Sequence, residues 1–267
     1  MIRKLVFKVF GIGDTSQFGE QALIKEYFSK INADSDYVID IGASDGVYAS
    51  NTHPLFKAGN PGIAVEPDSK RFTKLAKEYQ DFNVNLFRGY ATQETVVDIL
   101  KSANTPNHPL FMNFDIDSFD YFVLRAILKE YRPSLICAEI NETMPPPIRF
   151  AVLPTSDVAY TPWSHFYGMS IEMLADLCRE QSYDLIGLNY INAFIVPSEN
   201  ADLFDSLTAE EAYNQGYKNK PDRKKKFPWN ADMECLQEME PEESVQFIRS
   251  IFSNYDGKYF VSSQKLK

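Results

Sequence analysis

From residue 37 to residue 197 the chain alternates short apolar or β-branched runs with stretches whose apolar residues recur every three to four positions. The first pattern is that of buried strands and the second that of helices laid against them, so the alternation predicts a parallel sheet flanked by helices. Strands are expected at 37–41, 62–65, 84–87, 110–114, 135–138, 184–188 and 193–196, about seven in all. Helices are expected at 17–31, 52–58, 69–79, 93–101, 119–131 and 170–181. In the fifth of these, Phe122, Leu124, Ile127 and Leu128 form the apolar stripe and Pro133 stops the helix, which marks those side chains as core.

The last two apolar runs, YDLIGL and AFIVP, are separated only by Asn189 to Asn192. So short a gap cannot hold a crossover helix, and the final strand is expected antiparallel to its neighbour. Between the fifth strand and the sixth helix, NETMPPPIRFAVLPTSDVAYTPWSHFYG reads as irregular, which in a compact domain is the habit of lids and binding loops. After Pro197 the alternation is lost. A domain over 1–200 is therefore expected, followed by a helical C-terminal extension over 201–267 in which Pro241 opens a helix at 242–252.

Composition narrows the class. A length of 267 residues with 44% hydrophobic content suffices for a full core. No apolar run approaches the roughly 18 to 20 residues of a membrane helix, and MIRKLVFKVF is too short and interrupted for a secretory signal, so a cytoplasmic protein is expected. Cys137, Cys178 and Cys235 lack metal-type spacing, and their odd number argues against a disulfide framework. A net charge of −10 opposes nucleic-acid binding unless positive charge is gathered in one place. YKNKPDRKKKF gathers Lys218, Lys220, Arg223, Lys224, Lys225 and Lys226. Such a run is a solvated loop or a landing site for an anionic acceptor, and its few aromatics speak against base stacking.

The candidate chemistry begins at YVIDIGASDG (37–46), a buried strand running into a glycine-bearing turn. Glycines there allow a ligand close to the backbone. A dinucleotide fingerprint needs GxGxxG, whereas GASDG lacks the middle glycine and carries Asp45, which would repel a phosphate. That sets aside a nicotinamide-dependent oxidoreductase. Asp40 suits a cationic group such as an amino-acid ammonium, and Glu66, twenty residues past Gly46 in GIAVEPD, stands where a carboxylate accepts both hydroxyls of a ribose. A ribose, a positive end and no phosphate describe S-adenosylmethionine, and with the short final hairpin they predict a Rossmann-like class I methyltransferase fold. Adenine contacts are expected after the third strand, at Tyr90 and Ala91.

NFDIDSFDYF (113–122) crowds Asp115, Asp117 and Asp120 behind an apolar strand, against like-charge repulsion and desolvation. This stretch resembles the hallmark of the FkbM-type methyltransferases, a strand ending in DxEGxE or DxDGxD. SQFGEQ (16–21), SNT (50–52), RPSLICAEIN (132–141), FYGMS (166–170) and NAFIV (192–196) are similar to further elements of that family, in the same order over most of residues 15–197. Ser118 stands in place of the motif glycine and Met169 in place of a small residue.

The resemblance implies an O-methyltransferase acting on a hydroxyl of a sugar or glycoconjugate, that is, on a small-molecule or glycan acceptor. The cofactor is expected at Asp40, Gly42, Ala43, Ser44, Asp45, Gly46, Asn51, Thr52, Glu66, Tyr90, Ala91 and Asp115. Asp115, Asp117 and Glu139 are expected beside the acceptor hydroxyl, to orient it, to take its proton, or to hold Mg²⁺ or another divalent cation. Asp120 is expected to support the start of its helix. His165 is the candidate general base, with a structural role as its rival, and Trp163, Phe166 and Tyr167 either wall a sugar ring or pack into the core. A catalytically inactive cofactor-binding or scaffold module of the same fold is the alternative.

Overall fold

The computed structural model describes residues 13–155 and 164–265. Its larger sheet has seven strands: β1 (Val38–Ile41), β2 (Gly62–Val65), β3 (Val84–Phe87), β4 (Phe111–Phe114), β5 (Leu135–Glu139), β7 (Tyr183–Asn189) and β8 (Asn192–Pro197), in the spatial order β3-β2-β1-β4-β5-β8-β7. A separate two-stranded sheet joins β6 (Arg149–Val152) to β9 (Tyr259–Ser262). Nine α-helices are described in full: α1 (Glu20–Lys30), α2 (His53–Lys57), α3 (Ser69–Glu78), α4 (Val96–Ser102), α5 (Asp120–Leu128), α6 (Ile171–Gln181), α7 (Ala209–Tyr213), α8 (Arg223–Lys226) and α9 (Pro241–Ile251).

Strands β1 to β5 run parallel, with Asp40 beside Ala64 on one side and Asn113 on the other. The order reverses at β1, whose two neighbours are β2 and β4, so the crevice that open α/β sheets use for ligands lies at the carboxyl ends of these strands. β7 and β8 are antiparallel, as their two-residue connection, Tyr190 and Ile191, dictates, with a bulge between Leu185 and Gly187. This is the mixed, Rossmann-like sheet with an antiparallel edge that the sequence predicts.

The chain forms two compact units. The first comprises residues up to Asp115, Val123–Ala138 and Glu199–Leu203; the second comprises Ile116–Phe122, Glu139–Ser198 and the chain from Phe204 on. In the first, Val38, Ile39, Ile41, Ile63, Val65, Phe111, Phe114, Leu135 and Ile136 are buried, whereas edge strand β3 buries neither face completely. Near-continuous apolar runs are what parallel strands covered on both faces require. Asp68 caps α3 by accepting from the N–H groups of Lys70 and Arg71.

The second unit has its own core, in which Phe150, Val152, Phe166, Ile248, Phe252 and Val261 are buried together. Phe150 is in register with Val261 across the β6–β9 pair. β6 thus lies inside the stretch expected to be irregular, and residues 201–267 contain one strand besides their helical pieces. Both strands are short; β9 pairs with β6, and β6 is held on its other side by residues 168–170, where Val152 N–H donates to the Gly168 carbonyl and Ser170 N–H to the Phe150 carbonyl. Helix starts also moved for local reasons. α1 opens at Glu20 because Gly19 takes φ 85°, outside the helical region, and α4 opens at Val96 after a turn closed by the bond from Val96 N–H to the carbonyl of Thr92.

Candidate functional site

In the first unit the turn after β1 is folded against the end of β2. The N–H groups of Gly42 and Ala43 both donate to the carbonyl of Val65, and the next N–H, of Ser44, donates to Glu66 Oε2 at 2.8 Å. Gly42 has φ 88°, and a Cβ there would stand 1.6 Å from the backbone oxygen of Asp115. A Cβ on Gly46 would meet Leu75 at 2.7 Å and Tyr79 at 2.9 Å. Both glycines are therefore demanded by the packing of the protein on itself, a reason the sequence reading did not contain. Asp45 closes the turn by accepting from the N–H groups of Val47 and Tyr48, and the Tyr48 N–H foremost holds its carboxyl below the usual range.

Glu66 is 3% exposed at the end of β2. Its Oε2 accepts from Ser44 and its Oε1 from the Asp68 N–H at 2.7 Å, while burial pushes its pKa up. Each carboxylate oxygen has two lone pairs, so each keeps acceptor capacity after these bonds. The arrangement fits the paired hydroxyls of a ribose. Of the residues expected near adenine, Ala91 is buried and Tyr90 is 77% exposed.

Asp40 is not an open anion. Its Oδ2 accepts from the Thr52 hydroxyl at 2.5 Å and its Oδ1 from Asn113 Nδ2 at 3.1 Å. Burial raises its pKa to about 6, against the lowering effect of those two bonds. Asn113 Oδ1 in turn accepts from Asn51 Nδ2 at 3.0 Å. Asp40, Asn113 and Cys137 are in register across β1, β4 and β5, so this polar row crosses the centre of the sheet. Asp115 closes the first segment of this unit, its N–H donating to the Ile41 carbonyl.

The second unit takes up the chain at the acidic turn. Asp120, the first residue of α5, is buried and turns back on the loop before it, accepting from the N–H groups of Ile116 at 3.1 Å and Ser118 at 2.9 Å. Burial raises its pKa to about 6. Its role is to tie the turn. Asp117 takes the positive φ of 55°, a conformation Asp tolerates better than most residues, so Ser118 need not be glycine. Asp117 and Glu139 each offer a carboxylate oxygen within 4.8 Å of the other, a spacing that two hydroxyls or one hard cation can bridge.

His165 is 8% exposed and has φ 55°; its Nε2 lies 3.2 Å from Asp232 Oδ1. Its carbonyl and that of Tyr167 both accept from Asn141 Nδ2. Phe166 belongs to the core, stacked on Tyr255 at 3.9 Å, and Trp163 lies outside the described residues. The Tyr167 hydroxyl donates to Glu142 Oε2 at 2.5 Å. Glu142, which sequence reasoning passed over, is buried and also accepts from Asn230 Nδ2 at 2.7 Å, and burial raises its pKa. Burial, and then the charges of Glu142 and Glu139, push the Tyr167 phenol well above its ordinary value. The only hint in the sequence was an acid placed just after a strand, in NETMPPP.

Among the described residues no helix is long and apolar enough to cross a membrane. The chain matches no protein-family model and no curated protein sequence. It is similar to solved structures described as S-adenosylmethionine-dependent methyltransferases. One, from Clostridium acetobutylicum, is 9% identical over 73% of this chain and 96% of that one, with a TM-score of 0.43. An O-methyltransferase from Bacillus cereus, in complex with SAH, is 14% identical over 72% and 89%, with a TM-score of 0.41. A SAM-dependent methyltransferase from Aquifex aeolicus is 15% identical over 72% and 96%, with a TM-score of 0.37.

Proposed function

We propose that the chain is an S-adenosylmethionine-dependent O-methyltransferase whose acceptor is a hydroxyl of a sugar or glycoconjugate. The observation that carries the cofactor reading is Glu66: a buried carboxylate at the end of β2, next to the strand where the sheet order reverses, braced by two backbone N–H groups and keeping acceptor capacity on both oxygens. The turn before it carries Asp45, whose carboxylate would repel a pyrophosphate.

The cofactor supplies an electrophilic methyl carbon on a sulfonium. The protein then has to align the acceptor oxygen with that carbon and exclude water. In this reading Asp117 and Glu139 of the second unit, with Asp115 two residues before Asp117, orient the acceptor hydroxyl. As the oxygen–carbon bond forms and the carbon–sulfur bond breaks, the hydroxyl proton passes to a carboxylate or to His165. Oxygen donors of this kind suit Mg²⁺ or a similar hard cation, which would relieve the repulsion between the acids. Three scattered cysteines, an odd number without a disulfide framework, suit a reducing compartment such as the cytoplasm.

Titration calorimetry with S-adenosylhomocysteine tests the first step, and absence of binding removes the proposal. Glu66→Ala should weaken that binding roughly 10- to 100-fold, the size of a hydrogen-bond loss at a charged group. Methyl transfer to a panel of glycosides, with and without Mg²⁺ or EDTA, tests the second. Asp117→Asn and Glu139→Gln should each abolish transfer while leaving S-adenosylhomocysteine bound.

A further inference from the structure

The polar row across β1, β4 and β5 has one loose end. Asp40 carries two acceptor oxygens, one taken by Thr52 and one by Asn113 Nδ2. That second bond decides the orientation of the Asn113 amide, since only its NH₂ can face a carboxylate. Asn113 Oδ1 must then point the other way, where it receives Asn51 Nδ2. Asn51 Nδ2 also lies 3.5 Å from Cys137 Sγ. The direction of every bond in the row is thus set by Asp40, and it leaves Asn51 Oδ1 as an acceptor. Asn51 is 5% exposed, and Oδ1 is buried with no hydrogen-bond partner.

A buried acceptor without a donor is costly, and natural proteins retain few of them without a reason. The location supplies one. Asn51 rests on the layer of Asp40 and Asn113, and two residues further along the same two strands come Gly42 and Asp115, at the carboxyl ends where the crevice opens. Asp40, for which the sequence predicts the ammonium-binding role, already accepts one bond on each oxygen inside the protein, whereas Asn51 Oδ1 accepts none.

We propose that the side-chain carbonyl of Asn51 accepts a hydrogen bond from the α-ammonium group of the bound cofactor. Asp40 and Asn113 are its positioning residues, fixing which end of the amide faces the ligand. The proposal rests on the cofactor reading above and adds to it the group that reads the amino-acid end of the ligand.

The experiment is a double-mutant cycle by titration calorimetry on the full chain. Its probes are S-adenosylhomocysteine and the analogue lacking only the α-amino group. Wild type should bind S-adenosylhomocysteine about 10- to 100-fold more tightly than the analogue, as expected for a hydrogen bond to a charged donor. Asn51→Ala should bind the two alike, with the analogue held as in wild type. Equal affinity of wild type for the two ligands overturns the proposal without any variant, and leaves the cofactor reading intact. An Asn51→Ala variant that weakens both ligands by the same factor also overturns it, because a merely structural asparagine would act that way. Binding of neither ligand to wild type removes the cofactor reading, and the proposal with it. Asn113→Leu, which breaks the relay without touching the ligand, should shrink the amino-group discrimination as well.

Discussion

Gly42 and Asp40, two residues apart, carry opposite lessons about what a strand end must satisfy. A Cβ at position 42 would stand 1.6 Å from a backbone oxygen, which cannot swing away as a side chain can. Gly42→Ala should therefore cost roughly 3 kcal/mol or more in urea denaturation, at the upper end of overpacking penalties. Gly59→Ala is the control: its φ is also positive, at 98°, but nothing lies within 4 Å of the added methyl, so only the conformational cost of about 1 kcal/mol applies. At Asp40 the issue is charge. An unfolded aspartate titrates near 3.9, and burial lifts the folded value to about 6. The folded form holds the proton more tightly, so the stability this proton confers is complete below a pH of about 4 and is lost as pH rises through about 6. Asp40→Asn, which cannot ionise, should gain stability relative to wild type as pH rises from about 4 to about 6 and keep that gain above it. Thermal midpoints of the two proteins across that range give the difference directly. Asp120 obeys the same sign but is the poorer probe, because its two oxygens accept backbone N–H groups that an amide nitrogen could not.

At the scale of elements, the parts of the fold legible in the sequence are those whose order is decided locally. GIAV and VNLF are legible because each is a short apolar run closed by turn residues, and the β7–β8 hairpin is legible because so short a gap between its two apolar runs allows only an antiparallel return. β6 and β9 were not legible, because RFAV and YFVS pair with each other across more than a hundred residues of chain, and RFAV also with residues 168–170, beyond the reach of local patterning. The same holds for the candidate site. Glu66 could be placed from spacing alone, whereas the Glu142–Asn230 bond joins residues 88 apart and leaves no periodic trace. The core beneath the small sheet provides the test of its importance. Phe252 is 3% exposed and contacts the rings of Phe150, Phe166 and Tyr259. Phe252→Ala should cost about 3–5 kcal/mol, as for a buried ring whose cavity cannot collapse. If the loss in chemical denaturation were below about 1 kcal/mol, the cluster would not be a packed core.

For the molecule as a whole, the question is whether the basic run offsets a net charge of −10 enough to draw polyanions. Its charges are largely spoken for inside the second unit. Arg223, 8% exposed, forms a two-pronged pair with Glu234, which Lys224 also approaches at 3.2 Å; Lys226 lies 3.8 Å from Asp222; and Lys218 donates to the Gln237 carbonyl. Lys220 and Lys226 stand over the Tyr190 ring at 5.0 and 5.3 Å, and the Tyr190 hydroxyl donates to Asp222 at 2.6 Å. With Lys218, Lys220, Arg223 and Lys226 so engaged, the run braces its own neighbourhood and leaves Lys224 and Lys225 as its exposed cations, fewer than a polyanion site gathers. Removing one partner from a buried pair strands the other, so Glu234→Gln should destabilise the protein by about 2 kcal/mol. Wild type, for its part, should elute from heparin at low salt, because counterion release requires several cations facing the polyanion together. Retention of the wild type to high salt, together with little loss of stability in Glu234→Gln, would restore the run as a landing surface and undo its assignment as an internal brace.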